Sequence, residues 1–472
     1  MAADTGGVRG IEARLRALVP DLPAGARLPS TRVLVAEHAA SPLTVQRAVQ
    51  RLADEGLVET RPGTGTFVAP RFERRPADHS WQTTALGPAR TDAAAVGTAM
   101  AATPPGAVAL HAGYPVAELL PGRLVRSALA RAARSPLGLD RAPVAGVADL
   151  RAWFAADTAP PGSRAPAHPD DVVVMPGGQS ALSSTFRALA APGDAIVVES
   201  PTYWGAMAAA RQAGLRIVPV TRGARAPRAQ DLDDVLAASG ARLFYAQPHF
   251  ANPTGALWTA AERAELLDVV RARGAFLVED DWAHDFGIDA DVVPLFGEDP
   301  DGHVVTVRSL TKSVAPSVRV GAALARGPAL ARLQADRTVD DLYVSGLLQV
   351  AALGVLSDPG WRTHLRWLRG ALRSRRDELA RQVVAHLGAE ALPHLPRGGL
   401  NLWLRLPDRT DVAGLVRRSR GAGVLVAPGD DWFPAEPPAP HLRLNYTGAA
   451  PERFAEALGV LASLLRPAGL RG

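Results

Sequence analysis

A chain of 472 residues is long enough for two or three domains of about 100–200 residues each. Its 47% hydrophobic and 21% charged residues and net charge of +5 are ordinary for a globular protein, and the absence of cysteine excludes disulfides and thiolate metal sites; no metal site is expected. No run approaches the ~20 apolar residues of a membrane span, and Met1 to Gly10 contain Asp4 and no apolar core of a secretory signal, so the expected location is cytoplasmic.

Residues 9 to 70 read as three helices and a two-stranded wing. Ile11, Leu15, Leu18 and Val19 have helical spacing before the break at Pro20 and Pro23. A second helix starts near Ser30 and is expected to bury Val33, Leu34 and Ala36. For the third, Ser41 is the N-cap and Pro42 the first helical position, and Val45, Ala48, Val49 and Leu52 form one buried stripe. The opposite face offers Thr44, Gln46 and Arg47. Gly56 ends the helix, and Leu57–Thr60 with Thr66–Ala69 form a hairpin around Pro62-Gly63-Thr64-Gly65.

Residues 71–108 are rich in Pro, Ala, Thr and Arg without clear period and are assigned to a linker. A large domain is expected over 109–345, where apolar runs at 172–175, 195–198, 216–220, 242–246, 276–279 and 304–307 alternate with helical patterns. That alternation argues for a mainly parallel sheet in an α/β domain. The smaller α+β domain is assigned to 346–472, with an arginine-rich helical stretch and apolar runs at 400–406, 424–427 and 442–446.

Lys312, just beyond the 304–307 run, is the sole lysine; the other 51 of the 52 basic residues are arginines. Arginine replaces lysine where charge alone matters, but its guanidinium is no nucleophile. A single retained lysine therefore marks a candidate for amine chemistry. Around it stand Ser309, three residues before, and Arg319, seven after. Gly177-Gly178-Gln179 sits between a strand and a helix, a place where main-chain N–H groups hold phosphate. Tyr203, Asn252 in Asn252-Pro253-Thr254-Gly255, Asp280 at a strand end and Arg443 near the C-terminus complete the set.

The strings LPSTR (28–32) and TVQRAVQRLADEGLVETRPGTGTFV (44–68) resemble the GntR-family winged helix-turn-helix. The resemblance implies operator DNA contacts from Arg32, Thr44, Gln46, Arg47 and, at the wing tip, Gly65. The family's usual Ser-Arg-x-Thr is Ser41-Pro42-Leu43-Thr44 here, so one arginine contact is lost. The Lys312 motif, with the others in order, resembles fold-type I aminotransferases. That resemblance implies a Schiff base between Lys312 and pyridoxal 5′-phosphate (PLP), with phosphate contacts from Gly178, Gln179, Ser309 and Arg319. It further implies ring stacking by Tyr203, a donor to the ring oxygen from Asn252, a carboxylate for the ring nitrogen from Asp280, and an effector-carboxylate clamp at Arg443. Trp282 replaces a usual tyrosine, and Arg141 replaces the tyrosine that related enzymes lend to a partner subunit.

The whole arrangement resembles the MocR subfamily of bacterial regulators: a winged helix-turn-helix, then an aminotransferase-like large α/β domain, then a smaller C-terminal domain. It implies a homodimer that binds operator DNA and senses PLP itself, or an amino acid or amine effector, through aldimine chemistry at Lys312. A PLP-dependent aminotransferase with an accessory head is the rival; Trp282 and Arg141 argue that any such activity is weak.

Overall fold

The computed structural model describes residues 7–70, 78–87 and 100–466. The chain divides into two compact units, Met1–Pro88 and Ala89–Gly472. No helix among the described residues is long and apolar enough to cross a membrane.

In the first unit, helices α1 (Val8–Leu18), α2 (Thr31–His38) and α3 (Pro42–Asp54) precede the antiparallel strands β1 (Val58–Arg61) and β2 (Gly65–Val68). The Ser30 and Ser41 hydroxyls accept hydrogen bonds from Val33 N and Thr44 N, which caps α2 and α3 as the sequence requires. The α3 stripe of Val45, Ala48, Val49 and Leu52 packs on Ile11, Leu15 and Leu34. In α2 the expected burial is corrected: Leu34 is enclosed, but Val33 is 43% exposed and Ala36 is exposed. Two turns of helix can present only one residue squarely to α3, and Leu34 takes that place. Of the expected linker, residues 71–77 and 88–99 lie outside the described residues. Ser80–Leu86 within it is a short helix with no buried side chain.

The second unit is built on a seven-stranded sheet of order β4-β10-β9-β8-β7-β5-β6. These are β4 (Val172–Met175), β5 (Ala195–Ser200), β6 (Arg216–Thr221), β7 (Leu243–Ala246), β8 (Phe276–Asp281), β9 (Val304–Ser309) and β10 (Gly321–Leu324). All neighbours from β9 to β6 are parallel; β10 runs antiparallel between β4 and β9. Alternate residues of β4 feed opposite cores, Val172 and Val174 on one face and Val173 and Met175 on the other. A sheet covered on both faces needs such near-continuous apolar strands.

The smaller lobe holds an antiparallel sheet of β11 (Asn401–Arg405), β14 (His441–Asn445) and β13 (Ala427–Pro428). The packing divides the lobes elsewhere than at residues 109 and 346. Strand β3 (Val108–Ala109) pairs with β12 (Val424–Leu425), and Leu110 and Leu119 enter the small-lobe core. Helix Gly346–Leu356 instead packs Ala352, Val355 and Leu356 into the large-lobe core. Helix Pro359–Leu387 then joins them, with Trp361 in the large core and Leu368, Leu372 and Leu379 in the small.

Candidate functional site

The parallel strands end at a common edge, where open α/β sheets place their ligands. A cavity of about 530 Å³ opens there. Its wall includes Gly178, Gln179, Tyr203, Asn252, Asp280, Ser309, Lys312 and Arg319, so all the residues that the sequence pairs with a cofactor converge on one space. Trp282 is also in the wall.

One corner suits a phosphate dianion. Helix Gly178–Leu189 starts there with no side-chain cap, leaving its first N–H groups without intrahelical partners. Gly177 holds φ at +95°, and a Cβ on it would lie 2.8 Å from Arg319 Nη2 and 3.1 Å from Thr311 Cγ2. A side chain there would fill the cradle. Ser309 and Thr311 share a 3.0 Å hydroxyl contact beside it. Arg319 is held at φ +46°, in the left-handed region that costs a non-glycine residue of order 1–3 kcal/mol, while its Nη2 donates to Pro176 O at 3.1 Å.

At the other end, Asp280 Oδ2 accepts from the Tyr245 hydroxyl and Gln247 Nε2, each at 2.7 Å. No protein donor reaches Oδ1 among the described residues, which leaves that oxygen for a protonated ring nitrogen. Burial raises the Asp280 carboxyl above its ordinary value, and the two hydrogen bonds and Lys312 oppose that rise. Gln247 Oε1 in turn accepts from Asn252 N at 2.8 Å, and the Asn252 side-chain oxygen is enclosed without a partner. The Tyr203 hydroxyl donates to Gln179 Oε1 at 3.0 Å, and Gln179 Nε2 donates to Gly205 O at 2.7 Å. This pair fixes the tyrosine ring at the cavity wall.

Burial pushes the Lys312 ammonium down to about 8; Asp280 pulls it upward and Arg443 adds to the lowering. A buried amine that deprotonates near neutrality is a competent nucleophile. Lys312 forms no ion pair among the described residues, and the Trp282 ring lies against it, with the indole N–H unpartnered. The amine, the phosphate corner, the ring carboxylate, the tyrosine face and the unpaired amide together fit PLP.

Strand alternation turns Glu279 and Asp281 to the opposite side from Asp280. Burial opposes the Asp281 charge, yet His284, 2.5 Å away, and Arg308 hold its carboxyl down to about 2. Arg308 also pairs with Asp157 at 3.1 Å and Asp285 at 3.0 Å. This enclosed charge network pins the ends of β8 and β9, and with them Asp280 and Ser309.

Arg443 is not in the cavity wall. It is buried, its Nη2 donating to the carbonyls of His111 and Ala112, and its guanidinium lies 4.8 Å from the Trp432 ring centre. Arg141 is exposed and also outside the wall. Sequence reading missed Tyr114, Gln247 and Thr311, all in the wall. Gln247 directly follows β7 and Thr311 adjoins Lys312, which is signal of a kind; Tyr114 is flagged by nothing nearby.

In the first unit, Arg32, Gln46 and Arg47 are exposed and Thr44 and Gly65 half-buried. Thr44 Oγ1 lies 2.8 Å from the Ser41 hydroxyl, and Arg27 Nε would be 3.1 Å from a Cβ on Gly65. Arg51, on the same helix, is tied to Glu12 at 3.0 Å. Arg32 and Arg47 form no ion pair among the described residues.

Residues 143–460 match the aminotransferase class I and II family, and residues 8–68 match the bacterial regulatory proteins of the gntR family. The chain is 30% identical over 479 aligned residues to the probable rhizopine catabolism regulatory protein MocR of Rhizobium meliloti, covering 96% of this chain and 93% of that one. It is 30% identical over 369 residues to the 2-aminoadipate transaminase of Thermus thermophilus, covering 77% and 91%. Among solved structures it resembles the α-aminoadipate aminotransferase LysN from Thermus thermophilus, complexed with N-(5′-phosphopyridoxyl)-L-leucine. The TM-score is 0.71 at 29% identity, over 79% of this chain and 96% of that one.

Proposed function

The chain belongs to the aminotransferase class I and II family and carries a gntR-family DNA-binding head, and from that premise we propose that it is a MocR-type transcription regulator. The head binds operator DNA, and the second unit holds PLP through Lys312 and senses PLP itself or an amino compound. The observation that carries this reading is the convergence of Lys312, Asp280, Asn252, Tyr203, Ser309 and Arg319 on one cavity in a chain with such a head.

When bound, PLP supplies an aldehyde carbon that condenses with amines and a ring that withdraws electrons once its nitrogen is protonated. The chain's residues do the rest. Gly178, Gln179, Ser309 and Arg319 bind and orient the phosphate. Asp280, its Oδ2 held by Tyr245 and Gln247, keeps a proton at the ring nitrogen. Asn252 would hold the ring oxygen, and the Tyr203 ring would keep water from one face of the bound ring. Lys312 would be the covalent anchor for the cofactor's aldehyde, and an amine effector competing for that aldehyde would supply the local change that alters the state of the protein. Arg443 attracts an effector carboxylate through its charge, and the regulator acts as a homodimer.

The test is the visible spectrum of the purified protein with and without PLP, titrated with amino acids, with DNA binding measured on the same samples. A PLP band lost in Lys312→Ala, and operator affinity that changes with PLP or an amine, are the expected results. Steady turnover of an amino donor with a keto acid, without any change in DNA binding, would replace this reading with the aminotransferase one. That alternative draws on the resemblance to the Thermus transaminase.

A further inference from the structure

A second cavity, of about 1090 Å³, lies between the two lobes of the second unit and shares no wall residue with the Lys312 cavity. One wall is Pro201, just beyond β5, with Pro219 and Thr221 of β6. The other is aromatic. Trp403 and His441 stack with ring centres 4.8 Å apart and planes 8° apart, and Phe433 lies 6.1 Å and 5.8 Å from them. All three are only half-buried, so aromatic ring surface is left at the cavity. Trp432 separates this space from the effector arginine: it meets Trp403 at 6.3 Å and Arg443 at 4.8 Å.

The charges reachable from the cavity select the ligand. Arg222 belongs to the wall, but its side chain is 0% exposed and its guanidinium pairs with the buried Glu199 at 2.7 Å. It is sealed from a ligand. The His441 Nδ1 is engaged with Ala439 O at 2.7 Å, and burial lowers both His441 and His394 below their ordinary value, which favours the uncharged rings. Glu436 is exposed and forms no ion pair among the described residues. A flat apolar wall beside one free carboxylate suits a ring that carries a positive charge, which gains from both the carboxylate and the aromatic faces.

We propose that this inter-lobe cleft is a second ligand site and that it takes an aromatic monoamine. The assignment does not depend on PLP or on the regulatory reading.

The probe is gramine, an indole carrying a tertiary amine that cannot condense with an aldehyde and so cannot be captured covalently at Lys312. Calorimetric titration of the full chain is expected to show one saturable site. Indole-3-acetate is expected to bind at least about fivefold more weakly, the scale of a single exposed charge contact. Glu436→Gln is expected to weaken gramine by about the same factor while leaving neutral 3-methylindole unaffected. Phe433→Ala is expected to weaken both. Should Phe433→Ala fail to fold, the Glu436→Gln comparison decides alone, because that residue is at the surface. The proposal is overturned if gramine does not saturate, if Glu436→Gln leaves its affinity unchanged, if indole-3-acetate binds as tightly, or if saturating PLP displaces gramine.

Discussion

Lys312 Nζ lies 4.1 Å from the centre of the Trp282 ring. The indole face and the Asp280 carboxylate favour the ammonium form, whereas burial and Arg443 favour the amine. Burial wins, and the group titrates at about 8 instead of 10.5. Because the chain has one lysine, lysine labelled with nitrogen-15 gives one side-chain resonance, and its pH titration in cofactor-free protein reads this value directly. Asp280→Asn removes the charge that supports the ammonium, so the midpoint is expected to fall further, by about one unit. A midpoint near 10.5, or a rise in Asp280→Asn, would contradict the electrostatics of the site.

The phosphate corner gives a steric prediction. Alanine at 177 must adopt φ near +95° and bring its Cβ to 2.8 Å from Arg319 Nη2. Both effects act on the groups assigned to the phosphate. Gly177→Ala is therefore expected to weaken PLP binding by about tenfold or more, the factor for a loss of 1.4 kcal/mol, measured by the cofactor's absorbance in a titration. Equal affinity in the variant would show that this corner does not hold the phosphate.

The site residues that could be read from sequence were those embedded in local patterns: Lys312 between Ser309 and Arg319, Asn252 in its Asn-Pro-Thr-Gly turn, Asp280 at the end of an apolar run. Tyr114 and Gln247 have no such frame. Tyr114 reaches the wall because β3 crosses to the small lobe and pairs with β12, more than 300 residues on. That pairing leaves no local periodicity. Gln247 matters through its bond to Asp280, a contact made only when β7 and β8 lie side by side. Strand β10 is not legible in the sequence, because Gly321–Leu324 is four small or apolar residues directly after the Lys312 loop, too short to separate from it. Arg443 shows the reverse: its place in the small-lobe sheet was legible, but its turn toward the His111 and Ala112 carbonyls was not.

Glu279 behind the site sets a pH dependence of stability. Burial, reinforced by Asp281, raises its carboxyl from 4.5 to about 8. The folded chain then keeps a proton that the unfolded chain releases, so this contribution is full below pH 4.5 and is lost as pH rises toward 8. Leu295 N and the Thr306 hydroxyl both donate to Glu279 Oε2, so a single glutamine oxygen in that place can accept both bonds. Glu279→Gln is accordingly expected to fold and to flatten the fall in melting temperature between about pH 5 and 8. An unchanged slope in the variant would place the proton elsewhere.

Two arginines of α3 separate DNA contact from internal support. Arg47 is exposed without an ion pair among the described residues, while Arg51 is bound to Glu12 of α1. A recognition helix uses its free side chains on the duplex, and a cation held by a neighbouring carboxylate contributes less to a polyanion. Arg47→Ala is expected to weaken operator binding by about 1–3 kcal/mol if it reads a base. If it meets a phosphate, it is expected to reduce the salt slope by about one. Arg51→Ala, which breaks an exposed pair, is expected to cost stability within about 1 kcal/mol and to affect DNA binding less. Fluorescence anisotropy on an operator fragment across a salt series measures both. Were Arg51→Ala the more damaging on DNA while the fold was intact, the helix would meet the duplex on a face other than that of Arg47.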